Sequence, residues 1–178
     1  MKTTYFFIRN NNSSKQRGIT LIEVMVSLSI FALIIGGALS LFGSASASQT
    51  TSQMKSDLSA LRVAVKSLYF GQGGYGVANL NSTLISANKV PATMPVAGAV
   101  INHSQNGTVT VTGATSQYTV AVTNISTDVC IGLVSGTNGW VNLKIGAAAV
   151  INTFPIAPSL AATQCAATDP IAITFTAS

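Results

Sequence analysis

The sequence predicts an α+β fold: one long N-terminal α-helix, apolar in its first half and amphipathic in its second, with the second half packed on an antiparallel β-sheet and one disulfide in the sheet-bearing part. Three observations carry this prediction. Residues 19–42 form an unbroken 24-residue apolar run holding one ionisable group, Glu23. Met54, Leu58, Leu61, Val65 and Leu68 then recur at steps of four and three, the stripe of an amphipathic helix. Beyond Gly71 the chain changes to short alternating segments set among Gly, Asn and Ser, which read as strands and turns. A sheet laid over the helical stripe buries both apolar faces at once. The expected division is 1–18, a basic leader; 19–43, a membrane or core helix; 44–71, an amphipathic continuation; and 72–178, a C-terminal domain.

Taken in order, the first 18 residues carry Lys2, Arg9, Lys15 and Arg17 and no acid. They hold most of the net charge of +5 on a 178-residue chain with only 7 % charged residues, against about 25 % in an ordinary domain. From residue 19 onward there are five bases and four acids, a net +1. The basic balance therefore gives no reason to expect nucleic-acid binding by residues beyond 18. Four carboxylates and one histidine leave little for acid–base catalysis and exclude a multi-histidine metal site, so neither enzyme activity nor a cofactor is predicted.

About 20 apolar residues cross a bilayer as a helix, and the preceding basic segment favours a cytoplasmic N-terminus. Three readings of this region follow. It is a plain signal anchor; or it is a secretory signal peptide cut after Ala47 in Ala45-Ser46-Ala47, releasing a secreted binding protein; or it is cut before the apolar run, after Gly18, so that the whole helix is kept. A typical signal-peptide apolar core has 7–15 residues, which the present run exceeds.

The stretch KQRG-ITLIEVMVSLSIFAL resembles the processing site of type IV pilins and pseudopilins: Gly18 at the cut, hydrophobic Ile19 as the first mature residue, Glu23 as the fifth, and a continuous apolar helix. The 18-residue leader and the Ile start are similar to the type IVb branch. YFGQGGYGVANLNSTLISANKVPATM, from Tyr69 to Met94, and the ending CAATDPIAITFTAS resemble the thin-pilus PilS and toxin-coregulated pilin group. The resemblance implies a pilin αβ-roll and a non-enzymatic major subunit of a type IVb-like pilus, with a minor pilin or a type II secretion pseudopilin as the nearest alternative. It implies cleavage by a prepilin peptidase/methyltransferase, N-methylation of Ile19, and a role for Glu23 in assembly register. A carboxylate in an apolar helix needs a partner, and cleavage supplies one as the new amino group of Ile19, on the same chain or on a neighbour. The implied partners are further copies of the chain, the peptidase, the inner membrane before assembly and the inner-membrane assembly platform. The implied location is the inner membrane with a periplasmic C-terminal domain, then an extracellular filament.

Along the helix, Gly36, Ser40 and Ser44 form a small-residue series that permits close helix packing. Gly36 and Gly37 together mark its weakest point, where bending on assembly is expected. Residues 44–53 are Ser/Thr-rich and read as a polar continuation or a short break. Lys55, Asp57, Arg62 and Lys66 fall off the apolar stripe.

In the C-terminal domain, Val109–Thr112 and Tyr118–Thr123 read as a hairpin. Residues 140–145 and 171–175 are further strands, and 129–134 reads as strand or short helix. Cys130 and Cys165, an even count behind an export-type N-terminus, read as one disulfide, the alternative being two buried thiols. The resemblance makes the stretch between them a surface-displayed D-region. The formal G-x-G-x-x-G at Gly71–Gly76 follows a helix and has no acid downstream until Asp128, so it reads as a helix-ending loop. His103 reads as a surface residue in a polar turn, and the Asn-x-Ser/Thr triplets as chance occurrences. Asp57, Asp128, Asp169, Lys89 and Lys144 are candidates for pairing between subunits.

Overall fold

The computed structural model describes residues 20–166 and 170–178. The leader 1–18, Ile19 and Asp169 lie outside them. The chain forms two compact units that divide between Leu41 and Phe42.

The first helix, α1, is helical from Leu21 to Leu68. Residues 44–53 are its continuation and not a break. Thr51 shows why a polar sequence serves here: its hydroxyl donates to the Ala47 carbonyl one turn back, at 2.8 Å, so the helix itself satisfies the side chain. After Leu68 the Tyr69 N–H still donates to the Val65 carbonyl at 3.1 Å. Gly71, at φ +80°, then takes the left-handed conformation that turns the chain away.

Ten elements make up the described chain. After α1 come α2 (Asn81–Ser86), β1 (Val96–Ala97), β2 (Val100–Asn102), β3 (Thr108–Ala114), β4 (Gln117–Ile125), α3 (Thr127–Ser135), β5 (Asn142–Ile145), α4 (Pro158–Cys165) and β6 (Ile171–Ala177). The six strands form one antiparallel sheet in the order β1-β2-β3-β4-β6-β5. The last strand, β6, is thus inserted between β4 and β5. The expected hairpin is β3–β4, in register from Val109 opposite Val122 to Ala114 opposite Gln117.

Residues 129–134 are helical. Val129, Cys130, Leu133 and Val134 are buried, and spacings of one, four and five place them on one helical face. A strand would have split them between two faces. The short elements α2, α4, β1 and β2 are too brief to show a periodicity in sequence.

The core of the C-terminal unit joins Met54, Leu58, Leu61 and Val65 of α1 to Val109, Val111, Tyr118, Val120, Val122, Leu143, Ile173 and Phe175 of the sheet, all buried. Alternate residues point into it along β3, along β4 as far as Val122 and along β6 as far as Phe175.

The glycine-rich segment after α1 is a strap as well as a helix end. Its backbone pairs with β3 and the turn residue after it through Tyr75 N–H to the Thr115 carbonyl (2.7 Å), Thr115 N–H to the Gly76 carbonyl (2.7 Å) and Gly113 N–H to the Ala78 carbonyl (3.0 Å). Gly113 is required for this approach, since a Cβ there would collide with the Tyr75 and Gly76 carbonyl oxygens. Buried Asn81 continues the pairing with its side chain. Its Nδ2 donates to the Val109 carbonyl at 2.9 Å and its Oδ1 accepts from the Val111 N–H at 2.8 Å. One amide side chain thus satisfies two strand groups that burial would otherwise leave unpaired.

Leu61 is fully buried and Val63, two residues on, is 68 % exposed. Leu61→Ala is expected to destabilise the C-terminal unit by about 2–5 kcal/mol, and Val63→Ala to stay within about 0.5 kcal/mol, as read by denaturant unfolding.

Candidate functional site

In the N-terminal unit, Leu21–Leu39 form a 19-residue stretch of mean hydropathy 2.2 with none of its residues buried. Leu21, Ile22, Leu28, Phe31 and Leu33 all stand exposed. A helix apolar on every side needs an apolar surrounding, lipid or other protein. Its serines do not oppose this: Ser27 donates to the Glu23 carbonyl at 2.7 Å and Ser29 to the Met25 carbonyl at 2.8 Å. Their hydroxyls are therefore satisfied without water.

Glu23 lies in the first turn of α1, the end at which the helix dipole favours negative charge. Its N–H donates to the Thr20 carbonyl at 3.0 Å. Residues 20–41 contain no Lys, Arg or His, so the carboxylate has no cation to pair with in that stretch. Gly36 and Gly37 are both helical, and a Cβ at either would meet nothing within 4 Å. Packing within the chain therefore does not require glycine at these positions. The Ser40 and Ser44 side chains lie outside the described residues, as do Gly18 and Ile19.

In the C-terminal unit, Cys130 of α3 and Cys165 of α4 form a disulfide, with Cα atoms 6.0 Å apart and both side chains buried. It closes the segment that carries β5 and both helices. Against α3 lies the polar half of α1. Gly132 allows the contact, because a Cβ there would already sit 3.0 Å from the Thr51 side chain. An open groove of about 580 Å³ runs beside this crossing, lined by Ser48, Ser52, Lys55, Asp128 and Ser135 among others.

Two basic residues of α1 hold the loop after α3. The Lys55 ammonium occupies the space a side chain at Gly136 would need, where the α3 C-terminus favours a cation. The Arg62 guanidinium lies 5.5 Å from the Trp140 ring centroid, and the Trp140 ring in turn packs tilted against Phe175, with centroids 5.0 Å apart. Tyr118 completes this side of the core. Its hydroxyl donates to the Arg62 carbonyl at 3.3 Å, and burial, then neighbouring Tyr75, push its pKa up to about 12.

Two expectations are corrected. Asp57 is buried, and its Oδ1 accepts from Gln53 Nε2 at 2.9 Å and Thr93 Oγ1 at 2.6 Å. It anchors the loop before β1 to α1 and is not available to a neighbouring subunit. Its side chain could not be placed from sequence because Thr93 is 36 residues away. Asp128, Lys89 and Lys144 are exposed.

His103, read as a surface residue, is also buried. Gln105 N–H donates to its Nδ1 at 3.3 Å, so Nε2 carries the proton and donates to the Thr123 carbonyl at 2.8 Å. Gln105 reaches on to Ser126 ahead of α3 (2.9 Å), and Asn124 Nδ2 donates to the Gln105 carbonyl (2.9 Å). The turn is polar, as its composition suggests, but it folds down onto the irregular end of β4, where the register shifts between Val122 and Ile125.

Residues 48–178 match the PilS N-terminal family. The chain belongs to that family, and it is a type IVb pilin. The PilS match covers the amphipathic half of α1 and the whole C-terminal domain, while residues 13–39 match the prokaryotic N-terminal methylation motif. No curated protein matches the chain. The crystal structure of TcpA, a type IV pilin from Vibrio cholerae El Tor biotype, aligns with this PilS-family chain at a TM-score of 0.55 and 14 % identity. The alignment covers 73 % of this chain and 99 % of TcpA. At that identity the likeness is one of fold. Family and fold are those of structural subunits.

Two outcomes test the polar and covalent staples of the pilin domain. Replacing both cysteines with serine is expected to cost about 4 kcal/mol through the freed loop entropy, measured as a lowered denaturant midpoint. For His103, burial lowers the pKa below its ordinary 6.5, with the Thr123 bond opposing in part. The folded chain therefore binds this proton less readily than the unfolded one. The site's contribution to stability is complete above pH 6.5 and declines as pH falls towards the folded pKa. Urea midpoints at about pH 7 and about pH 5 should show that decline, and His103→Gln should reduce it.

Proposed function

We propose that this pilin is the major structural subunit of a type IVb-like pilus, made as a prepilin, cleaved after Gly18 and assembled through α1 into an extracellular filament. The observation that carries the proposal is the uncovered apolar span Leu21–Leu39, which holds a single carboxylate, Glu23, near its start and no Lys, Arg or His of its own. Lipid covers the span before assembly, with residues 1–18 cytoplasmic and the C-terminal domain periplasmic. In the filament the span is covered by the same span of neighbouring copies. The protein acts as a building block and as the substrate of a prepilin peptidase/methyltransferase, and has no catalytic role of its own.

In this scheme cleavage exposes the Ile19 amino group, which the methyltransferase modifies. Glu23 pairs with that group on a neighbour and sets axial register, because an unpaired charge in an apolar core is penalised by several kcal/mol. Gly36, Gly37 and Ser40 allow close packing or local bending of α1 as it moves from lipid to filament. The helix portions 19–43 and 44–71 then serve as filament core and as scaffold for the domain 72–178.

The rival cut after Ala47 is disfavoured by the helical conformation of Ala45–Ala47 and by the packing of Ala47 against the core. Intact mass and N-terminal sequencing of the mature protein decide between the two. The expected start is a methylated Ile19, and a start at Ser48 would refute the scheme. Electron microscopy of cells carrying Glu23→Val should show loss of surface filaments while the domain stays folded. Filaments of normal abundance would remove Glu23 from assembly.

A further inference from the structure

The C-terminal unit contains two Asn-Gly dipeptides, Asn106-Gly107 and Asn138-Gly139. Glycine offers no side-chain hindrance to the approach of its own backbone nitrogen to the preceding asparagine side chain, but the fold treats the two pairs in opposite ways. We propose that Asn138 is a site of spontaneous deamidation in the folded protein, and that Asn106 is protected by its hairpin.

The Asn106 pair is locked. Asn106 N–H donates to the His103 carbonyl at 3.0 Å and the Gly107 carbonyl accepts from His103 N–H at 3.1 Å. Gly107 is wedged so closely between the Thr123 carbonyl and the His103 ring that even a Cβ would collide with both. The rotation that brings a backbone nitrogen onto the asparagine amide carbon would tear this turn from β4.

The Asn138 pair is free to make that rotation. Both residues are exposed, and among the described residues neither backbone N–H makes a backbone hydrogen bond. The loop is pinned on either side, by Thr137 N–H to the Val134 carbonyl (3.4 Å) and Val141 N–H to the Thr176 carbonyl (2.8 Å). Two cations attend the dipeptide. A Cβ built on Gly139 would lie 2.6 Å from Arg62 Nη1. Lys55 lines a small cavity of about 80 Å³ together with Asn138.

The chemistry needs only water. The Gly139 nitrogen loses its proton and attacks Asn138 Cγ. A C–N bond forms, the bond to the side-chain NH₂ breaks, and ammonia leaves carrying the proton. Water then opens the cyclic imide at either carbonyl, leaving aspartate or isoaspartate at position 138. The Arg62 cation favours the deprotonated nitrogen, as a nearby positive charge favours any anion, and the product carboxylate forms beside Lys55 and Arg62. Each conversion takes residues 19–178 from net +1 to zero. A subunit with little self-repulsion then loses what remains of it.

The test is peptide mapping by mass spectrometry of the detergent-solubilised full chain during incubation at mildly alkaline pH. The peptide with Asn138 should gain the mass of deamidation, with both aspartate and isoaspartate forms, while the Asn106 peptide keeps its amide. In denaturant the two should convert at similar rates, because the selectivity comes from the fold. Arg62→Gln should slow conversion of Asn138 roughly tenfold, the effect of losing about one unit of pKa depression. Equal native rates at the two sites, faster conversion of Asn106, or the same selectivity in denaturant would each overturn the proposal. An unchanged rate in a folded Arg62→Gln variant would overturn the part assigned to the cation.

Discussion

The C-terminal unit depends on covering one face of α1. Met54, Leu58, Leu61 and Val65 cannot be buried by the helix that carries them, and the face they occupy is long enough to need a sheet. Alternating residues of β3, β4, β5 and β6 supply it, with β6 returning to lie between β4 and the edge strand β5. Once that contact is made, the rest of the chain must fit it: the glycine strap crosses to β3, and α3 and α4 add Val129, Leu133 and Ala161 to the same core. Interiors pack as densely as crystals of small molecules, so few arrangements of these pieces satisfy the same helix face.

Scarcity of charge shapes what holds the pieces together. Of the five bases beyond residue 18, Lys55 and Arg62 fill space left by glycines in the loop after α3. Asp57 anchors a distant loop through Thr93. Polar side chains that would cost free energy if buried alone are instead turned onto backbone groups, as with Asn81 on β3 and His103 on β4. The disulfide ties α3 to α4 covalently. These local solutions leave the outer surface weakly charged. That property suits a chain whose apolar helix has to be covered by lipid or by copies of itself.

Much of this was legible in the sequence wherever a period was long enough to read. The apolar run, the stripe from Met54 to Leu68, the β3–β4 hairpin, β5 and β6 all stand close to where their patterns place them. The elements that escaped are short, as with β1 of two residues and α2 of six. The misread residues are those whose environment comes from elsewhere in the chain. His103 sits in a polar turn by sequence, yet its ring is buried by Thr123, 20 residues on. Asp57 falls off the apolar stripe, yet the loop carrying Thr93 covers it. Residues 129–134 fit either period until the core buries Val129, Cys130, Leu133 and Val134 together on one helical face.

The sequence by itself determined the division of labour: an apolar helix that demands an outside partner, a carboxylate within it, an amphipathic continuation and a sheet of alternating strands. These follow from periodicity and from transfer free energy, both properties of neighbouring residues. Only the tertiary structure decided which polar groups are buried and how they are satisfied, because that depends on residues brought together from tens of positions apart. It set His103 and Asp57 inside, gave Lys55 and Arg62 their places against glycines, and made one Asn-Gly pair rigid while leaving the other free.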